Sequence, residues 1–101
     1  MNMRTLVKVT VPVEAGNNAF KDGLLQKTIA GFTETYKPEA CYFYPENGKR
    51  AMFAVIDLKD PTYITAIAEP FFLNLNASVE FTPVMNSEDL KAGLAKTQKN
   101  F

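Results

Sequence analysis

Lys8 and Glu80 are the side chains best placed to do chemistry in this chain. Both lie in alternating segments, at positions that bring an ammonium and a carboxylate onto neighbouring strands of one sheet face. If buried there, both titrations shift and the pair can position or deprotonate a small polar aromatic molecule. In water the same residues form a salt bridge or two rim charges. Tyr42 and Tyr44 belong to that face too, where their hydroxyls can donate into a cavity or their rings can sit in an oligomer interface. Thr10, Met52 and Thr82 complete the candidate ligand-binding set. Glu69, just before Pro70, reads as a solvated helix position, and Lys49-Arg50 as a solvated turn.

What is missing narrows the chemistry further. The chain has no His and no Trp, which removes the side chain best suited to proton transfer near neutral pH, the usual Ser-His and Cys-His nucleophiles and most transition-metal sites. Five scattered glycines form no phosphate-cradling loop, so neither a metal nor a cofactor is expected. Cys41 is the single cysteine; it has no intramolecular partner and should be a small apolar sheet residue, which fits a reducing, cytoplasmic compartment. Eleven basic and eleven acidic residues cancel, leaving no global field to attract phosphate backbones or anionic lipid. No run of about 20 apolar residues is present. Nucleic acid and membranes are therefore not expected partners, and no leader segment is expected before the first strand.

These side chains need a scaffold, and 101 residues supply one domain spanning 1–101. Residues 4–11 alternate as a strand that Pro12 ends. Phe20, Leu24, Leu25, Thr28, Ile29, Phe32 and Tyr36 then recur at helical spacing, predicting one helix from Asn17 or Asn18 to Tyr36, with Gly31 giving close approach to the sheet. Two apolar runs, 40–44 and 50–58, flank Asn47-Gly48, a pair able to adopt the positive φ angles of a tight hairpin. Asp60-Pro61 opens an amphipathic helix ending near Leu75, in which Pro70 predicts a kink near Glu69. Residues 77–85 alternate again, with Pro83 marking a sheet edge, and Ser87, Leu90 and Leu94 begin and line a short last helix.

The order β-α-β-β-α-β is the split βαβ, ferredoxin-like layout of an α+β domain. It puts the first and third strands in the centre of an antiparallel sheet and the main helices on one face. Alternation predicts Val7, Val9, Val11, Cys41, Phe43, Phe53, Val55, Val79 and Phe81 beneath the helices. The opposite face would carry Leu6, Tyr42, Tyr44, Met52, Ala54, Ile56, Leu58 and Val84, with Lys8, Thr10, Glu80 and Thr82 as its polar members. So apolar a face is rarely left in water, and three covers are open to it: the last helix folding back, a second copy of the chain, or a ligand. The last helix has few large apolar residues, which favours the second copy.

This layout, and in particular the closing segment Val79-Glu-Phe-Thr-Pro-Val-Met-Asn-Ser-Glu-Asp-Leu90, resembles small uncharacterised proteins of the dimeric α+β barrel superfamily, close to a domain-of-unknown-function family. The layout resemblance covers nearly the whole chain, while the motif itself is confined to the closing segment. It implies a homodimer with facing sheets and a cavity between them, and it transfers no catalytic residue. Two functional expectations follow. One is a small-molecule binding or sensing protein for an apolar or aromatic ligand; the other is a cofactor-free isomerase or monooxygenase using Lys8, Glu80 and the tyrosines. RNA binding, which the layout also hosts, requires stacking rings on the third strand's open face, where alternation places Met52, Ala54 and Ile56.

Overall fold

Valine at every second position drives the first strand, because β-branched side chains suit a pleated surface with one face buried. In the computed structural model, which describes residues 2–98, β1 (Met3–Val11) buries Thr5, Val7, Val9 and Val11 on one side. It pairs antiparallel with β3 (Lys49–Leu58) and β4 (Ser78–Pro83), and β3 pairs with β2 (Ala40–Glu46), giving the order β2-β3-β1-β4. This is an antiparallel ferredoxin-like α+β sheet with β1 and β3 central, as the element order predicts. Pro83 sits on the edge strand β4, where its missing N–H costs no ladder bond on the outer side. Asn47 and Gly48 both have positive φ, 52° and 77°, and close β2 onto β3 in a two-residue turn with Glu46 opposite Lys49.

That turn also fixes which residues of β3 face the helices, and here the alternation reading needs correction. With Glu46 opposite Lys49, Phe43 lies opposite Met52 and Cys41 opposite Ala54, so Met52, Ala54 and Ile56 join Val7 and Val9 on the helix side. All three are buried, and Leu58 packs on the same core. Phe53 and Val55 point to the open face instead. Both parities of β3 are apolar, so hydrophobicity alone does not set its phase; the hairpin register does.

The expected first helix is two helices. Chain leaving Pro12 enters α1 (Val13–Lys21) directly, with the Gly16 N–H donating to the Pro12 carbonyl at 2.8 Å, so the segment read as a polar entry is already helical. Gly23, at φ +82°, breaks the run before α2 (Leu24–Tyr36), and the Asp22 carboxylate accepts the Leu24 N–H at 3.0 Å. Gly31 lies on the exposed side of α2, where an added Cβ would meet nothing within 4 Å, so it does not serve a close approach to the sheet.

Helix α3 (Thr62–Leu75) begins with Asp60 Oδ1 accepting the Thr62 N–H at 2.8 Å. The helix continues through the exposed Pro70, so the proline does not end it. Its buried stripe, Ile67, Ala68, Phe71 and Leu75, meets Phe32 of α2 edge to face over the sheet core. Helix α4 (Ser87–Gln98) is capped reciprocally by Asn86 and Asp89, each side chain accepting the other's backbone N–H. Its described side chains are all exposed, Leu90 and Leu94 among them. The radius of gyration, 16.1 Å against about 13 Å for a compact domain of this size, and a longest extent of 56 Å fit a helix standing away from the body.

Candidate functional site

Cover is uneven on the helix side of the sheet. The helices pack over β3 and β4, while edge strand β2 receives no substantial helix contact and its Phe43 remains 57% exposed. A cleft of about 660 Å³ opens there, within the size range of small-molecule sites. Its floor is Val9, Val11 and Met52, its inner end Phe71 and Leu75, and its flank Leu25 and Ile29 of α2. All seven are apolar, and five of them are buried.

Polar groups stand at the mouth alone. Asn17 comes from α1, and Lys49 and Arg50 come from the start of β3 beside Tyr44 and Pro45. Arg50 shares the parity of Met52 and so points toward the helices, where its Nη1 donates to Asn17 Oδ1 at 3.1 Å. Gly16 makes room for this guanidinium, since a Cβ there would stand 2.7 Å from Arg50 Nη1 and 3.2 Å from Val11 Cγ1. Arg50 is exposed, as its reading as a solvated turn expects. Its parity relative to the Asn47-Gly48 turn was the signal that could have placed it on the helix side.

The open face differs in character. Lys8 and Glu80 are Cα partners on β1 and β4, as expected, but the Lys8 ammonium bonds Glu46 Oε2 on β2 at 2.7 Å, passing across β3. The hydrogen bond to Glu46 raises the Lys8 pKa. Tyr44 Oη donates to the other oxygen of Glu46 at 3.4 Å, and Ala51, beneath this group, is small and buried. Phe53 sits between Tyr42 and Tyr44, with ring centroids 5.5 and 5.8 Å apart. At the far end Arg4 joins Glu39 at 2.7 Å and Asp89 of α4 at 3.4 Å.

The seven predicted site residues therefore divide. Lys8, Thr10, Tyr42, Tyr44, Glu80 and Thr82 share the open face, with Tyr42, Glu80 and Thr82 exposed. Met52 does not; the hairpin register turns it to the helix side, where it lines the cleft floor. Tyr44 borders both regions. Met52, Ala54 and Ile56 are not the open-face positions of β3; that face presents a ring, Phe53. What opposes phosphate binding there is charge: the cations Arg4 and Lys8 are both bound to carboxylates. Cys41, half-buried beside Ala54, behaves as the small apolar residue expected, and burial raises its thiol pKa. Among the described residues no cluster of His, Cys, Asp and Glu could hold a metal, and no helix is long and apolar enough to cross a membrane.

Comparison with known proteins places this architecture. The uncharacterised protein TM1266 from Thermotoga maritima superposes with a TM-score of 0.59 at 16% identity, covering 84% of this chain and all of that one, a likeness of fold. No curated protein sequence matches. Residues 3–98 match the model described as Domain of unknown function (DUF3303), and the chain belongs to that family.

Proposed function

We propose that this chain is a small-molecule-binding protein that acts as a homodimer. The observation carrying the binding reading is the apolar cleft between the helices and the β2–β3 hairpin, with its polar groups confined to the mouth. In this reading the ligand lies beneath the helices, and the open sheet face is the dimer surface rather than the wall of an inter-sheet cavity. Two features support pairing of copies as in a dimeric α+β barrel. The face carries Leu6, Tyr42, Phe53 and Val55 with the β1 cations Arg4 and Lys8 already neutralised, and α4 displays Leu90 and Leu94 without burying them.

No observation favours the isomerase or monooxygenase reading. Lys8 is tied to Glu46, and neither Lys8 nor Glu80 lines the cleft. The reading also assumes no nucleic-acid partner and a reducing, cytoplasmic setting for the single thiol. Native mass spectrometry of gently purified protein tests both parts at once: the expected species is a dimer that carries small-molecule mass and releases it on mild denaturation. A monomer at micromolar concentration contradicts the dimer. Failure of every apolar probe to bind contradicts the cleft.

A further inference from the structure

Arg4 and Lys8 are held by carboxylates, whereas Arg50 has none within ion-pair distance among the described residues. Its one hydrogen bond, to the neutral amide oxygen of Asn17, leaves most of the guanidinium's five donors free. No acidic side chain lines the cleft. An apolar cleft with the Arg50 guanidinium and no anion at its mouth is complementary to a molecule with an apolar body and one negative end.

Gly16 adds an independent indication. A glycine inside a helix costs roughly 1 kcal/mol relative to alanine, and at Gly16 a methyl group would press on Val11 Cγ1 and displace the Arg50 guanidinium from its place. The helix surface is thus cut away at the spot where Arg50 folds over the cleft entrance.

We propose that the cleft takes a free small monocarboxylate with an apolar body, its carboxylate held in a two-pronged contact by Arg50 at the mouth and its body on Val9, Val11 and Met52. This rests on the binding reading above. Asn17 positions the guanidinium, and Gly16 leaves it room.

The test is calorimetric titration of the full chain with decanoate and with naphthoate, each beside its uncharged primary amide. At least one carboxylate is expected to bind about tenfold or more tightly than its amide. Arg50→Met should abolish that preference, with the carboxylate losing far more affinity than the amide, Arg50→Lys should keep part of it, and Gly16→Ala should reduce it. Equal affinity of acid and amide for the wild-type protein overturns the anion assignment and leaves the cleft standing. A preference that survives Arg50→Met overturns the role of Arg50. Absence of binding by all four probes overturns the binding reading itself. Thermal unfolding of Arg50→Met and Arg50→Lys, both changed at an exposed side chain, verifies that each variant is folded.

Discussion

The two faces of this sheet use similar side chains to opposite ends. On the open face, aromatic rings pack on one another and the two cations of β1 are matched, Lys8 by Glu46 and Arg4 by Glu39 and Asp89. On the helix side at β2, apolar walls enclose space and Arg50 has no carboxylate. A flat surface whose two β1 cations are already paired suits another protein surface, because those cations can be covered together with their carboxylates. A concave site with an unmatched cation suits a small anion. Composition alone would rank the two faces alike; shape and charge pairing separate them.

The sharpest way to break this division is to change adjacent residues of β3 that point to opposite faces. Ile56→Ala should cost roughly 2–5 kcal/mol in urea unfolding, because Ile56 is 2% exposed in the core. Val55→Ala, only half-buried on the open face, should cost the monomer less than about 1.5 kcal/mol. Equal costs would mean that the phase of β3 is wrong. Phe53→Asp probes the open face by charge: the dimer dissociation constant in sedimentation equilibrium should rise about tenfold or more, with near-native monomer stability. An unchanged constant would remove that face from the interface.

Two glycines in the stretch whose periodicity predicts a single helix should respond with opposite signs. Gly23→Ala should destabilise by roughly 1–2 kcal/mol, since its φ of +82° strains any Cβ even in open space. Gly31→Ala should stabilise by up to about 1 kcal/mol, because its backbone is helical and its surroundings are empty. The smallest effect is in pH. Lys8 has a folded-state pKa raised above 10.5, so its pair with Glu46 contributes stability that is fully present below 10.5 and is lost as pH rises through the folded value. Glu46→Gln should flatten that alkaline slope in a stability-against-pH series. At the acidic end, the Asp60 carboxylate is held below 3.8 by its bonds to Thr62, so its contribution to the start of α3 is present above 3.8 and fades as pH falls through the folded value.

The element order, the central strands, the edge proline and the Asn47-Gly48 turn were legible because each follows from local rules: period-two valines, missing N–H groups, positive φ at a short turn. The phase of β3 was not legible from hydrophobicity, since residues 51–56 are apolar at both parities. It was legible from the turn, which pairs Glu46 with Lys49 and so opposes odd positions on one strand to even positions on the other. Taking that step would have moved Met52 and Arg50 to the helix side at once. The cleft is harder to foresee, because it depends on where the helices fail to cover β2, and that is set by the break at Gly23 and by helix packing across the sheet. The Lys8 to Glu46 contact was missed for a related reason: a long side chain reached across a small residue, Ala51, to the strand beyond its neighbour.

Decanoate titration followed by heteronuclear NMR tests the central claim most directly. Saturable backbone shifts centred on Asn17, Ile29, Phe43 and Arg50 are the predicted result, with Leu6, Tyr42 and Phe53 little changed. Shifts centred on Leu6, Tyr42 and Phe53 would put the ligand between facing sheets and contradict the division of labour argued from the cleft.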